Sequence, residues 1–226
     1  MPTAWKDFMF AVQGALLFLL ILVATELALG QTAPADELPT SARILAVQTG
    51  GSGCEATQTA VSLAPDLQSL SLLFSNFNLE LGAGTAQPEA SLLQKNCRIQ
   101  VEIETPPGWS MAIKSVDYRG YARLPEGATA RHRFSYRTEG MPPAMLREAP
   151  LRGPLDQDYF FRLEQPLSER RHTPCGPPNI RLVLNTHMSL RLGRERDTAL
   201  LSLDSADMTL HQDFQIEWKR CGRNRR

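Results

Sequence analysis

The sequence predicts an all-β protein, an antiparallel sandwich of jelly-roll or immunoglobulin-like type, held by two disulfides and preceded by a signal-peptide helix. Three observations lead there. Apolar residues recur at every second position in stretch after stretch, as strands with one buried and one wet face require. No window beyond residue 30 carries a long stripe of 3.6-residue period, so extended amphipathic helices are not expected. The four cysteines, Cys54, Cys97, Cys175 and Cys221, all follow an N-terminal apolar run that directs export.

Residues 1–30 read as a signal peptide. Lys6 precedes an apolar stretch that is densest from Gly14 to Ala24, and Ala28-Leu29-Gly30 offers the small residues that a signal peptidase reads. The dense part falls short of the roughly 20 apolar residues of a spanning helix, so no stable membrane span is expected after cleavage. An uncleaved anchor over residues 8–24 is the alternative. Residues 31–41 are small, polar and proline-bearing, a flexible leader, and the domain proper is expected over 42–221. Residues 222–226 make a basic tail. Beyond residue 30 the chain carries 23 basic and 22 acidic residues, a balance that points away from nucleic acid.

Ala42 to Gln48 reads as a short strand, and Gly50 to Gly53 as a run that bends tightly beside the half-cystine Cys54. The run lacks the lysine of a phosphate-binding loop. Leu70, Leu72 and Phe74 alternate with serines, then Phe77, Leu79 and Leu81 alternate in the opposite phase, which predicts a bulge or crossover near Ser75-Asn76. Gly82 to Pro88 is a loop, and Ala90 to Gln94 is expected as a helical turn. Ile99, Val101 and Ile103 then alternate with Arg98, Gln100, Glu102 and Glu104. Pro106-Pro107-Gly108 reverses the chain, giving a hairpin with the strand that reaches Tyr121.

Ala128 to Tyr136 alternates with Thr129, Arg131, Arg133, Ser135 and Arg137 on the other face. That arginine row suits an anionic polysaccharide or lipid surface, although a plain solvated face has the same look. Thr138 to Asp156, with four prolines and two glycines, breaks the rhythm and reads as a long irregular segment, either a binding loop or simply a mobile one. Tyr159, Phe161 and Leu163 mark a strand, and Gln165 to Asn179 a second irregular stretch. Ile180 to Leu192 form a long strand, with His187 on its polar side. Leu201 and Leu203 lie on another. Ser205 to Asp207 make a turn, and Met208 to Trp218 a last strand with His211 on its polar side.

Two disulfides admit three connectivities. Cys54–Cys97 and Cys175–Cys221 are favoured because neighbours along a chain tend to be neighbours in space. Each closes a loop of a little over forty residues, for which the loop-entropy model gives about 4 kcal/mol. No Cys-x-x-Cys pair or spaced histidines call for metal, and no cofactor is expected.

The catalytic signals are thin. Glu102 and Glu104 share a strand face, a pairing that suits acid–base chemistry but equally a solvated or arginine-paired exterior. A nucleophile elbow is missing. Trp109, Asp117, Tyr118, Arg119 and Tyr121 gather on one strand, and aromatics beside an arginine suit a sugar or a protein partner; the competing reading places Trp109 and Tyr118 in the core. Asp117 and Arg119 flank Tyr118 and are expected to pair with each other.

Eight short motifs occur in order: Gly50-Gly51-Ser52-Gly53-Cys54, Lys95-Asn96-Cys97, Pro107-Gly108-Trp109, Val116-Asp117-Tyr118-Arg119-Gly120-Tyr121, Gly153-Pro154 with Asp158-Tyr159, Pro174-Cys175-Gly176, Leu203-Asp204-Ser205 and Trp218-Lys219-Arg220-Cys221. Together they resemble the secreted family catalogued as domain of unknown function 4360, from Gly50 to Cys221. The resemblance implies secretion and paired cysteines and brings no catalytic residues. The expectation is a secreted or periplasmic non-catalytic module that binds an extracellular glycan, surface or protein. The alternative is a polysaccharide-active hydrolase using Glu102, Glu104 or Asp117.

Overall fold

A computed structural model describes residues 38–175, 177–194, 197–203 and 212–222, with backbone alone over 144–147. Among these residues the chain forms two packed antiparallel sheets. The signal peptide, most of the leader, the basic tail beyond Gly222, the turn at Ser205–Asp207 and the expected start of the last strand at 208–211, His211 included, lie outside the described residues.

The first sheet has five strands: β1 (Arg43–Gly50), β5 (Leu92–Glu104), β7 (Thr129–Thr138), β8 (Ala144–Arg152) and β10 (Asn179–Arg191), in the order β1-β5-β10-β7-β8. The second is built from β2 (Thr59–Leu63), β3 (Ser69–Phe74), β4 (Asn78–Leu81), β6 (Trp109–Leu124), β9 (Leu155–Glu164), β11 (Ala199–Ser202) and β12 (Gln212–Arg220). There β6 is the spine. Its first half pairs with β12, its second with β11 on one side, and β9 runs along its other edge. Most of the strands are those that the alternation marks, because burying one face of each sheet against the other removes every second side chain from water. Ile99, Val101 and Ile103 of β5, Leu182, Leu184 and Leu190 of β10, and Leu70, Leu72 and Phe214 from the facing sheet are all but fully buried.

Three expectations are corrected. The turn at Pro106–Gly108 exists, with Gly108 at φ +79°, but the strands it joins do not pair. β5 belongs to the five-stranded sheet and β6 to the other, so the turn is an arch between layers. The expected helical turn at Ala90–Gln94 is not formed: from Leu92 on, these residues begin β5, which pairs through Leu92 with Arg191. Thr138 to Asp156 is no long loop, since β8 lies within it and pairs with β7. Its Pro150 is tolerated because β8 is an edge strand, where only one side of the backbone needs partners. The change of phase near Ser75-Asn76 marks a break between β3 and β4, which pair with β12 and β11 respectively.

The disulfides are Cys54–Cys97 and Cys175–Cys221. The first pins the glycine run to β5, where the backbones touch: Gly53 N–H donates to the Asn96 carbonyl at 2.9 Å, and a Cβ on Gly53 would lie 2.3 Å from the Phe77 ring. The second joins the segment entering β10 to the exit of β12, one from each sheet.

A polar island sits inside the sandwich. His132 of β7 is fully buried against Tyr118 of β6, ring centroids 4.9 Å apart, with Tyr159 beyond at 6.3 Å. Thr186 donates to the Gln212 Oε1 at 3.0 Å, and Tyr159 donates its hydroxyl to the Ser202 carbonyl at 2.7 Å. Burial pushes the Tyr118 and Tyr159 hydroxyls well above their ordinary range, so both are neutral.

Candidate functional site

The aromatic and arginine residues of β6 separate into two layers, as alternation along a strand requires. Tyr118 is in the core, with no exposure. Trp109 is also buried, and the Arg220 guanidinium lies over its ring, 4.3 Å from the centroid. Asp117, Arg119 and Tyr121 face outward. Asp117 pairs with Arg162 on β9, not with Arg119: Nε and Nη2 donate to its two carboxylate oxygens at 2.7 and 2.6 Å. Arg119 lies over the Phe160 ring at 5.3 Å, and Tyr121 donates its hydroxyl to Asp156. Asp117 and Tyr121 are therefore held by the neighbouring strand, and Phe160, half exposed, is the aromatic that sequence reasoning missed there.

A recess of shape and polarity lies elsewhere, on the outer face of the five-stranded sheet. It is a trough of about 320 Å³ lined by Leu92, Gln94, Thr129, Arg131, Arg133, Glu148, His187, Ser189 and Arg191. Four strands supply these residues, and the register explains their meeting. Arg191 stands between Leu92 and Thr129, Ser189 between Gln94 and Arg131, and His187 between Asn96 and Arg133. Across β7, Glu148 stands opposite Arg133. Its Oε1 lies 3.2 Å from Arg131 Nη1 and its Oε2 accepts from Arg133 Nη2 at 3.1 Å. Partial burial and, next, the Arg133 charge hold His187 below its ordinary range, so near neutral pH the positive charge here is arginine's.

Of these residues the sequence singles out Arg131, Arg133 and His187, on the outward phase of their strands. Gln94, Glu148 and Arg191 escape notice because the trough exists only once β5, β10, β7 and β8 lie side by side. Glu148, moreover, falls in the stretch that reads as a loop.

The carboxylates named for acid–base work are engaged by arginines. Glu104 pairs with Arg43, and Glu102 lies 3.9 Å from Arg181, which also reaches Glu139 at 2.9 Å. They occupy the far end of β5, about 26 Å (Glu102) and about 33 Å (Glu104) along the strand from Gln94 at about 3.3 Å per residue. Among the described residues no three metal-ligating side chains cluster, and no helix is long and apolar enough to cross a membrane.

Comparison with known proteins gives a curated relative, an uncharacterised secreted protein of Arthroderma benhamiae. It is 28% identical over 183 residues, spanning 81% of this chain and 73% of the relative. With both cysteine pairs oxidised and a secreted relative, the protein is an exported one. Two solved structures are similar at low TM-score. One is TmCBM61 in complex with β-1,4-galactotriose, with 9% identity, TM-score 0.26, 77% of this chain and 88% of that one. The other is a family 11 carbohydrate-binding module from Clostridium thermocellum in complex with a mixed-linked tetrasaccharide, with 10% identity, TM-score 0.20, 78% of this chain and 96% of that one. At such TM-scores neither says anything of a ligand for this chain. The family model of domain of unknown function DUF4360 matches residues 40–221, the whole sandwich, and the chain belongs to that family.

Proposed function

We propose that the protein is a non-catalytic extracellular module that binds a glycan in the trough of its five-stranded sheet. The observation that supports this most is the composition of the trough wall. Gln94, Thr129 and Ser189 offer amide and hydroxyl groups to sugar hydroxyls, while arginines supply charge-assisted donors. A glycosidase of the usual kind needs two carboxyl groups flanking the bond it cleaves, and among the described residues the lining contains one, already bonded to two arginines. The site sits on regular strands rather than on loops, so its groups are held in fixed relative positions before ligand arrives. The aromatic and arginine patch of Arg119, Tyr121 and Phe160 lies on the other sheet and is largely engaged with its own neighbours.

A glycan array probed with the secreted chain, disulfides intact, tests this reading. Retention of one or more polysaccharides without turnover is expected. Substituting Gln94→Ala with Ser189→Ala should weaken it, while the pair Arg119→Ala with Phe160→Ala should leave it in place. Release of reducing ends from a polymer, abolished by Glu102→Gln or Glu104→Gln, would instead establish a hydrolase.

A further inference from the structure

The trough concentrates a charge that the balanced whole chain conceals. Arg131 and Arg133 take successive outward positions on β7, about 7 Å apart, and Arg191 closes the row from β10. Against these three guanidiniums stands Glu148 alone. It bridges the two β7 arginines, one oxygen to each, and so shows how a carboxylate is received at this place. Arg131 and Arg133 nevertheless remain more than half exposed, with donors left over for a second acceptor. Among the described residues no Phe, Tyr or Trp lines the trough, so the apolar faces of neutral sugars find only the His187 ring beside them and charge must supply most of what stacking does not.

We propose that the trough selects an acidic polysaccharide, whose carboxylate or sulfate groups are taken by Arg131, Arg133 and Arg191 while Glu148 acts as a built-in counter-ion. This rests on the glycan-binding reading above and narrows it. Glu148 ties the two guanidiniums together and lowers the charge of the empty trough, which weakens non-specific capture of anions. A lipid surface is a poorer match, because among the described lining residues Leu92 is the one large apolar side chain, too little to insert into acyl chains. Nucleic acid is a poorer match for the lack of a stacking platform.

Calorimetric titration of the oxidised, secreted chain decides the matter. The probes are polygalacturonate for carboxylate, dextran sulfate for sulfate, unmodified dextran, anionic phospholipid vesicles and duplex DNA, each at low and physiological salt. One or both acidic polysaccharides should bind more tightly than dextran, with an affinity that falls as salt screens the charges. Arg131→Gln, Arg133→Gln and Arg191→Gln should each weaken binding by about threefold to tenfold, with unchanged thermal midpoints showing that the fold survives. Glu148→Gln should strengthen it by about threefold and steepen its salt dependence. Equal binding of dextran and both acidic polymers, insensitive to the arginine variants, would overturn the proposal and leave the glycan-binding reading standing. Binding to no polysaccharide would overturn both. Tighter binding of vesicles or DNA, or weaker binding by Glu148→Gln, would also overturn it.

Discussion

His132 enters the core from the strand that carries the arginine row, and neither of its ring nitrogens meets a hydrogen-bond partner among the described residues. Burial, helped by His187 on the far face of the same sheet, lowers its pKa from 6.5 to about 3, so the folded protein holds it neutral. The groups packed on it, Tyr118 and Tyr159, are uncharged as well. Unfolded chains bind a proton on this residue below pH 6.5 and folded ones do not until about pH 3. Stability from this residue is therefore whole above 6.5 and declines on acidification, by about 1.4 kcal/mol per pH unit. Urea midpoints measured down to about pH 4 should show that slope, and His132→Phe, which fills the same space without polar atoms, should flatten it and be nearly neutral at pH 7. Gly120 makes a sharper prediction. A Cβ there would lie 2.1 Å from the Ser202 carbonyl and 2.5 Å from the Tyr159 hydroxyl. Gly120→Ala should cost about 3 kcal/mol in thermal or urea unfolding. The motif Asp117-Tyr118-Arg119-Gly120 thus has structural reasons at three positions: an ion pair to Arg162, a core ring, and a close backbone approach.

At the level of elements, alternation told which residues lie together on a face and where most strands run, because period-2 burial is written directly into composition. Partner choice was not so written. Pro106-Pro107-Gly108 turns the chain equally well into a hairpin or an arch, and only the packing of two layers decides between them. β8 was masked by Pro142, Pro143, Pro150 and Pro154, since turn residues and edge-strand residues are the same residues. For the same reason the trough was half legible: the outward arginines of β7 could be read, but their neighbours on β5, β8 and β10 follow from register alone. Position in the sheet also sets local stability. β5 and β10 are paired on both sides, whereas β8 and β2 are edges. Hydrogen exchange should find amides of β5 and β10 at least about tenfold better protected than those of β8 and β2. Equal protection would refute the strand order.

For the molecule as a whole, the two disulfides do different work. Cys54–Cys97 fixes the glycine run on one sheet, and Cys175–Cys221 couples the segment before β10 to the end of β12 on the other. Replacing either pair by alanines should cost about 4 kcal/mol in urea unfolding. Loss of the second should also speed exchange in β12. The chain crosses between layers at almost every connection from β4 to β11, which leaves β2–β3 and β7–β8 as the neighbouring strands that pair directly, each at a sheet margin. The central pairings, β5 with β10 and β6 with β12, must bring together segments separated by about half of the domain. Such high contact order places refolding in the millisecond-to-second range or slower. A nascent chain will thus display sticky, unmatched strand margins while its middle is still being found, and its passage out of the cell will depend on being shielded until then.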